Sequence, residues 1–378
     1  MQIYSFMKHL LFLMSDLEGG GAEKALLELL KSIDYKQYKV SLCLILCRGV
    51  YIQEVPKEVK IITLFESEDS PRYQKVFRAY IEHKRTFPLS CLLHTKLRCL
   101  RYDVIISFME GDPLLLHNFI VSRGRINITW VHCDLYNYHY SKSRFYAPVT
   151  EIDCYKKMDK IVFVSQIAKN NFSKLFDVDK SKYSLYNILD LDRVRKLALT
   201  GISSRRLFTI TAIGSLIEVK GIDRLVRVAK RLKDDGSTFC IQIVGRGKKE
   251  KELLELRNNL DLEQEVHFCG FQTNPYSYLN QSDLLVSTSI SEGLSYVICE
   301  ALALGVPVVA TETAGAMELL EGGKYGILTN HNDEAIYQGI KEMMNNVDLR
   351  KMYSDKGKKR AESFSAQQIM SEFYKLLQ

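Results

Sequence analysis

The sequence has no long apolar run, few prolines and no paired-cysteine motif. Its first apolar stretch, residues 10–14, is too short for a membrane span, and no small-residue cleavage site of a signal peptide follows it. Nine cysteines occur without a CxxC pair, so neither a disulfide framework nor a metal-ligand set is indicated, and a reducing cytoplasm is expected. The G-x-G-x-x-G fingerprint is also missing, which disfavours a dinucleotide-dependent oxidoreductase.

Length and charge suggest two domains of different character. A chain of 378 residues suits two domains of roughly 150 to 200 residues, and 46% hydrophobic with 26% charged residues excludes disordered and fibrous proteins. Residues 1–200 hold 30 Lys and Arg against 22 Asp and Glu, whereas residues 201–378 hold 22 against 23. The basic first half indicates contact with an anionic surface, either membrane or nucleic acid, although an ordinary solvated surface is the alternative.

Short apolar runs alternate with helix-length segments along the whole chain. Runs that are apolar on both faces are typical of parallel sheets covered by helices on both sides. We therefore predict an α/β fold with two Rossmann-like doubly wound sheets. The predicted strands are residues 10–14, 40–46, 103–108, 126–132, 160–165, 207–214, 239–245, 265–270, 283–289 and 306–312.

Strand character lapses over residues 186–206, where a charged connector precedes a new first strand. We place the domain boundary near residue 187. The predicted organisation is an N-terminal domain of residues 1–187, a C-terminal domain of residues 188–361, and an amphipathic C-terminal helix within residues 362–378 that crosses back to the first domain.

Glycine-containing turns follow the first predicted strand of each half. Gly20 and Gly21 open a helix in the first half, and in the second half Gly214 ends a strand while Lys220 and Gly221 precede a helix. Bare N–H groups at a helix start bind phosphate well, and a lysine there adds a cation. A third turn, at residues 244–250, has the same position, but glycine turns of this kind are also common without any ligand.

Two glutamates, Glu292 and Glu300, flank an apolar segment and are eight positions apart. Eight helical residues rise about 12 Å, and positions i and i+8 lie near one stripe of a helix. That length is comparable to an extended sugar–diphosphate–ribose unit, whose hydroxyls suit carboxylate acceptors. The N–H groups of residues 293–296 would face the diphosphate. The alternative is that one glutamate caps the helix and the other is exposed.

Residues 283–315 closely resemble the donor-site segment of the retaining nucleotide-sugar glycosyltransferases with the GT-B fold, the family with an E-x7-E motif. The resemblance continues through GSLIEVKGIDRLV, IVGRGKKEKELLEL and LEQEVHFCGFQTNPYSYL in the family's order, and through EGGGAEKALLELL and TWVHCDLYNYH in the first half. It covers most of the chain. It implies two Rossmann-like domains facing each other across a cleft.

The resemblance also implies roles for individual residues. Glu292 would contact hydroxyls of the donor sugar, Glu300 the ribose and Lys220 the diphosphate, while residues 268–271 would line the base pocket. His132 would lie near the donor sugar and the acceptor, although a structural histidine at a strand end is the alternative. The candidate catalytic residues are His132, Lys220 and Glu292. The candidate donor-binding residues are Gly20, Gly21, Ser215, Lys220, Arg246, Gly270, Phe271, Glu292, Gly293, Leu294, Ser295, Tyr296 and Glu300.

One position departs from the family pattern. Ser215 stands where the family usually has an arginine, so one charge that would neutralise the diphosphate is missing, and Arg246 is the candidate replacement. The departure keeps open a non-catalytic glycosyltransferase-like subunit. A nucleotide-sugar 2-epimerase of the same fold is the other alternative.

The family resemblance implies transfer of a hexose or N-acetylhexosamine from a UDP-sugar with retention of configuration. It implies no cofactor beyond the nucleotide-sugar and no catalytic metal. Residues 72–101 hold eight Lys and Arg against Glu82, with Phe, Leu and Tyr interleaved, which is typical of a segment that lies on anionic lipid. We therefore expect a lipid-linked saccharide acceptor and a peripheral location on the inner face of the plasma membrane; an ordinary exposed helix pair is the alternative. No nucleic-acid-binding module matches, so that partner is not expected.

Overall fold

The computed structural model describes residues 7–83, 85–98, 100–145, 149–200 and 207–378. The chain divides into two compact units. Unit 1 comprises Met1–Ile188 together with Ala366–Gln378, and unit 2 comprises Leu189–Ser365. Each unit is a parallel sheet with helices, so the predicted α/β fold class is confirmed.

Unit 1 contains a seven-stranded parallel sheet in the order β3-β2-β1-β4-β5-β6-β7. Its strands are β1 (Lys8–Met14), β2 (Tyr38–Leu46), β3 (Lys60–Phe65), β4 (Tyr102–Ser107), β5 (Gly124–Val131), β6 (Lys160–Phe163) and β7 (Ser181–Ser184). Its helices are α1 (Gly21–Ser32), α2 (Pro71–His83), α3 (Phe87–Lys96), α4 (Asp112–Ile120), α5 (Glu151–Lys156), α6 (Gln166–Leu175) and, from the C-terminus, α15 (Ala366–Leu376). Residues 10–14 of β1 are fully buried, as a central strand between two helical layers requires.

The C-terminal helix α15 packs on unit 1. The Tyr374 ring stacks on Tyr38 with 5.3 Å between centroids, and its hydroxyl oxygen accepts the Asp34 N–H at 2.9 Å. The Lys8 and Lys160 ammonium groups donate to carbonyl oxygens of residues 377 and 376, at 3.3 and 2.8 Å. Cations at the last carbonyls satisfy free acceptors and stabilise the helix dipole.

A buried histidine on α4, His117, joins strands β4 and β5 of unit 1 through hydrogen bonds. His117 Nε2 lies 3.0 Å from Asn127 Oδ1, which only accepts, so Nε2 carries the proton, and Nδ1 lies 3.0 Å from the Ser107 hydroxyl oxygen. The backbone N–H of Asn127 in turn donates to Asp159 at 2.7 Å. Burial lowers the pKa of His117 to about 4, because the charged ring would be desolvated.

This histidine predicts an acid-sensitive stability. Between pH 6.5 and about 4 the unfolded chain takes up a proton on His117 that the folded chain does not, so folding weakens as the pH falls. The full effect is about 3 kcal/mol at 1.36 kcal/mol per pKa unit. Urea denaturation of wild type and His117→Gln at pH 7 and pH 4.5 checks this. We expect a smaller pH-dependent loss in His117→Gln, and equal losses in both proteins would contradict the prediction.

Unit 2 contains a six-stranded parallel sheet in the order β10-β9-β8-β11-β12-β13. Its strands are β8 (Phe208–Ile213), β9 (Phe239–Val244), β10 (Val266–Gly270), β11 (Leu284–Ser287), β12 (Val308–Thr311) and β13 (Ile327–Thr329). Its helices are α7 (Leu191–Ala198), α8 (Ile222–Asp234), α9 (Glu250–Asn259), α10 (Tyr276–Asn280), α11 (Tyr296–Leu304), α12 (Ala314–Leu319), α13 (Asp333–Asn345) and α14 (Val347–Ala361).

All ten predicted strands occur in the structure, and the described residues form three further strands that were not predicted. These are β3, β7 and β13, and each lies at an edge of its sheet. Edge strands are covered less completely, so β7 (SKYS) and the start of β3 lack the continuous apolar run of a central strand. The predicted connector at residues 186–206 contains helix α7, and its last part, residues 201–206, lies outside the described residues.

Candidate functional site

In each sheet the strand order along the chain reverses direction once, between two adjacent central strands, and this place is called the topological switch point. Ligands of open α/β sheets bind at the switch point, outside the carboxyl ends of the strands. In unit 2 the reversal lies between β8 and β11, and in unit 1 between β1 and β4. The residues that follow these four strands therefore define the candidate site of each unit.

In unit 2 the turn after β8 packs directly on the segment after β11. Gly221 has φ +58°, and a Cβ there would lie 2.4 Å from the Thr288 carbonyl oxygen, so the turn requires glycine. The Thr288 hydroxyl donates to the Lys220 carbonyl at 3.1 Å, and the Ile290 N–H donates to the Val219 carbonyl at 2.7 Å. These contacts fix Lys220 beside the β11 segment.

Lys220 and Glu292, 72 positions apart in the sequence, form an ion pair at this point. Lys220 Nζ lies 2.5 Å from Glu292 Oε1, and the two side chains are 26% and 13% exposed. A partly buried pair at a switch point offers one cation for an anionic ligand and one carboxylate for ligand hydroxyls. Each group is neutralised by the other in this structure, so a phosphate would share Lys220 with Glu292.

The two glutamates of the E-x7-E motif do not lie on one helix, which corrects the helical spacing expected from the sequence. Helix α11 begins only at Tyr296, so Glu300 is helical while Glu292 precedes the helix. The Glu292 carbonyl accepts the Gly315 N–H at 2.9 Å, and a Cβ on Gly315 would come within 2.8 Å of Leu294 Cα. Close packing of this loop on α12 holds Glu292 out of the helix.

The four residues that follow Glu292, which are Gly293, Leu294, Ser295 and Tyr296, are buried, and so is Glu300, which is 3% exposed. Ser295 is the N-cap of α11 but makes no side-chain capping bond. The N-terminus of this apolar helix carries the positive end of its dipole.

A second turn, at residues 245–249, packs closely against the first through its backbone. A Cβ on Gly245 would lie 1.9 Å from the Gly214 carbonyl oxygen, and one on Gly247 would lie 2.3 Å from the Leu216 carbonyl oxygen. The Leu216 N–H donates to the Arg246 carbonyl at 2.9 Å. Arg246 is consequently next to the exposed Ser215, the position at which the family's usual arginine is absent.

Arg246 also stacks on an aromatic side chain. Its guanidinium carbon lies 4.9 Å from the centroid of the Phe271 ring, which is 43% exposed. The Gly245 N–H donates to the carbonyl of Gly270, which has φ +65°, and this bond joins the two turns. Within the described part of the chain, Arg246 makes no ion pair, so its guanidinium donors are available to a ligand.

In unit 1 the glycine turn after β1 is surrounded by acidic groups. Gly20 is the N-cap of α1 without a side-chain capping bond, and a Cβ there would meet the Glu23 carboxylate at 2.3 Å. Burial, together with the negative charges of Asp16 and Glu18, raises the pKa of Glu23 to about 7. The negative potential of these carboxylates disfavours the binding of a phosphate at Gly20 and Gly21.

One cation, Arg48, partly balances these acids. It pairs with Asp16 at 3.2 Å, with Glu18 at 3.0 Å and with Glu68 at 2.8 Å. Because three carboxylates share one guanidinium, the turn keeps an excess of negative charge.

His132 directly follows β5. Its Nε2 atom is buried and has no hydrogen-bond partner among the described residues. Burial lowers the pKa of His132 to about 3, while a contact with the Phe108 backbone raises it slightly, so the ring is neutral at pH 7. Since Nε2 is unpartnered, that contact is made through Nδ1, which leaves Nε2 as a hydrogen-bond acceptor.

Sequence reasoning missed Glu110, which follows β4 at the switch point of unit 1. Glu110 is fully buried, and its Oε2 accepts the backbone N–H of His132 at 2.9 Å. Burial raises the pKa of this carboxyl, while hydrogen bonds from His132, Cys133 and Tyr140 partly oppose the rise. The sequence signal that could have indicated Glu110 is its position just after a buried strand, in the segment SFMEGD.

Two general properties of the described residues bear on the site. No helix in the described ranges is long and apolar enough to cross a bilayer. Among the same residues, no group of three or more His, Cys, Asp or Glu side chains is arranged to hold a metal ion.

Two parallel sheets and a lysine–carboxylate pair at the switch point of unit 2 define the chain as a doubly wound α/β protein with a candidate site at the carboxyl ends of its strands. A family model for "Glycosyl transferases group 1" matches residues 203–360. An uncharacterized glycosyltransferase of Methanocaldococcus jannaschii is 30% identical over 86% of this chain and 89% of its own length. The chain belongs to the group 1 glycosyltransferases.

A second relative is named by its reaction. The N-acetylgalactosamine-N,N'-diacetylbacillosaminyl-diphospho-undecaprenol 4-alpha-N-acetylgalactosaminyltransferase of Campylobacter jejuni is 29% identical over 96% of this chain and 97% of its own length.

Solved structures share the GT-B fold. HepE of Anabaena, solved with UDP and glucose, superposes with a TM-score of 0.79 at 21% identity, over 98% of this chain and 99% of its own. A mutant of S. aureus TarM, solved with fondaparinux, alpha-GlcNAc-glycerol and UDP, has a TM-score of 0.75 at 15% identity, over 98% of this chain and 100% of its own.

Proposed function

We propose that this protein transfers a hexose or N-acetylhexosamine from a UDP-sugar to a lipid-linked saccharide in cell-surface glycan assembly, with retention of configuration. The observation that carries the proposal is the ion pair of Lys220 and Glu292 at the switch point of unit 2. The name of the Campylobacter relative and the UDP in the HepE complex support the donor and acceptor classes.

In this proposal unit 2 holds the donor. Lys220 and the start of α11 stabilise the diphosphate as charge develops on it, Glu292 accepts hydrogen bonds from sugar hydroxyls, and Glu300 accepts from the ribose. The residues around Phe271 contact the base. His132 accepts a hydrogen bond from a saccharide hydroxyl, because its neutral ring presents a lone pair at Nε2.

The proposed reaction breaks the bond between the anomeric carbon and the diphosphate oxygen and forms one to the acceptor oxygen on the same face. The acceptor hydroxyl proton passes to the departing phosphate, so no side-chain base and no metal are required. The protein contributes positioning and charge stabilisation.

Arg246 is proposed to replace the arginine missing at position 215. This favours an active enzyme over a non-catalytic subunit, because the turn that carries Arg246 contacts the Ser215 turn directly. We expect Arg246→Ser to weaken UDP binding by about tenfold, the order of one charge-assisted hydrogen bond. Adding Ser215→Arg to that variant should restore affinity.

Titration calorimetry with UDP measures both effects. Lys248→Ala, a change of an exposed cation on the same turn, is the control and should leave affinity within about twofold. Unchanged affinity in Arg246→Ser, or no recovery in the double variant, would contradict the replacement.

We further propose that residues 72–101 bind an anionic membrane. Helices α2 and α3 turn their apolar residues toward the core of unit 1, while Arg72 and Lys75 are exposed and the ring of Phe87 is 78% exposed. Arg78 is paired with Glu82 and contributes less. The exposed surface is therefore basic with one protruding aromatic ring, which suits an anionic headgroup layer.

Vesicle sedimentation tests the membrane proposal. Binding to phosphatidylglycerol vesicles should fall by about tenfold or more in Arg72→Glu/Lys75→Glu, at about 1 kcal/mol per charge near the surface. Lys39→Glu/Lys60→Glu makes the same change elsewhere in unit 1 and should bind like wild type. Equal loss in both variants would indicate a general charge effect and overturn the assignment.

A transfer assay tests the function itself. Purified protein is incubated with a polyprenyl-diphosphate-linked saccharide and, in separate reactions, UDP-, GDP-, ADP- and dTDP-sugars. We expect one UDP-hexose or UDP-N-acetylhexosamine to extend the lipid-linked saccharide, detected by mass spectrometry, with the anomeric configuration retained in the NMR spectrum. Extension with inversion, or only with another nucleotide, would contradict the proposal.

A further inference from the structure

Glu110 is a buried carboxyl that the reaction outlined above does not use. It follows β4 at the switch point of unit 1 and is fully buried. No cation forms an ion pair with it within the described ranges, and its Oε1 has no hydrogen-bond partner there. A buried carboxyl without a cation costs free energy, so an apolar residue would suit stability better.

The segment after β4 holds His132 by several contacts. The Phe108 ring lies 5.0 Å from the His132 ring, and the Phe108 backbone contacts the ring through Nδ1. Glu110 Oε2 accepts the His132 backbone N–H at 2.9 Å. The residues that follow the neighbouring strand β4 thus contact His132 at its ring face, at its ring N–H and at its backbone N–H.

This arrangement determines which atom His132 presents. With Nδ1 turned to the Phe108 backbone, the neutral ring keeps its lone pair at Nε2, which is buried and unpartnered. A hydrogen bond to the His132 main chain controls where that lone pair points, since the ring is only two bonds from Cα. Asp112 and Asp134, which flank the same strand ends, also have buried unpartnered carboxylate oxygens, as expected around a site for hydroxyl groups.

We propose that Glu110 is a positioning residue that orients His132 toward the saccharide hydroxyl, an inference that rests on the proposed function. Glu110 does not touch the reacting atoms. It acts through the His132 backbone and through the loop that continues to Tyr140. The amide oxygen of a glutamine can accept the same N–H, whereas alanine leaves that N–H buried and unpaired.

Steady-state kinetics of single and double variants test the proposal. We expect Glu110→Ala to lower kcat by about 10- to 100-fold with a smaller change in KM, because misplacement of a positioned group affects the transition state most. Glu110→Gln should recover most of that loss. Glu110→Ala/His132→Ala should be no worse than His132→Ala alone, since the first residue acts through the second.

Glu151→Ala is the matched control for loss of a buried carboxyl in unit 1. Glu151 is 6% exposed and accepts hydrogen bonds from Ser141 and His139, with no contact to His132. Its effect should add to that of His132→Ala. Additive effects of Glu110→Ala and His132→Ala, or a glutamine variant as impaired as the alanine variant, would overturn the proposal.

A spectroscopic readout separates this inference from the proposed function. In protein labelled with 15N-histidine, the His132 ring should show a protonated Nδ1 and an unprotonated Nε2 at pH 7, and Glu110→Ala should shift that ring toward a mixture of tautomers. Failure of wild type to transfer any sugar would overturn the function alone. An unchanged His132 spectrum in Glu110→Ala would overturn the positioning role.

Discussion

Replacing Lys220 with methionine is expected to lower kcat for sugar transfer by about 10²- to 10³-fold. That loss is typical when one preorganised donor to a developing oxyanion is removed. Methionine keeps the length and the apolar stem of lysine, so the turn between β8 and α8 can keep its packing. The variant leaves Glu292, 13% exposed, without its cation, which adds repulsion between that carboxylate and the diphosphate.

Lys230→Met is the control for this prediction. Lys230 lies on helix α8, close to Lys220 in sequence, and is paired with Asp234 at 2.7 Å. An exposed pair four residues apart on a helix contributes little, so transfer should change by less than about twofold. Steady-state assays on both variants measure the contrast. A Lys220→Met enzyme that retains wild-type kcat would remove Lys220 from the leaving-group site.

The second large effect is expected from Gly221→Ala. Alanine at φ +58° costs about 1–2 kcal/mol, and its Cβ would also lie 2.4 Å from the Thr288 carbonyl oxygen. The turn must therefore move away from the β11 segment, and it carries Lys220 with it. We expect loss of measurable UDP binding together with a lower melting temperature.

Gly236→Ala is the control that separates the effect of backbone strain from the effect of moving the turn that carries Lys220. Gly236 also has a left-handed backbone, with φ +78°, but a Cβ there meets nothing within 4 Å. This variant should lose stability by about 1 kcal/mol and keep its affinity for UDP. Calorimetric titration of both variants compares them, and equal affinities would show that contact with Thr288 does not hold Lys220 in place.

The sequence predicted much of the fold because the central strands are apolar on both faces. It missed β7, an edge strand with polar side chains, and β13, an edge strand of only three residues. The sequence predicted one helix that includes both Glu292 and Glu300, whereas α11 begins only at Tyr296. The start of α11 depends on the packing of Gly315 against the preceding loop. Contacts between distant segments of this kind leave no local pattern.

The same reasoning explains which site residues the sequence indicated. Lys220 and Glu292 follow neighbouring strands, so an α/β topology with ordinary connections brings them to one sheet edge, while their 2.5 Å approach needed the structure. Glu110 stands in no motif, and its importance arises only from the pairing of β4 with β5 beside His132.

The most direct test of a UDP-sugar site in unit 2 is a thermal-shift comparison of UDP and UDP-sugars on wild type and Glu300→Ala. Binding at about 100 times Kd stabilises by about 2.7 kcal/mol, which corresponds to a rise of about 5 °C or more. Ile298→Val, a buried change on the same helix, should keep that rise relative to its own baseline. We predict a rise in wild type and Ile298→Val and none in Glu300→Ala. No rise in wild type, or an equal rise in Glu300→Ala, would contradict the site.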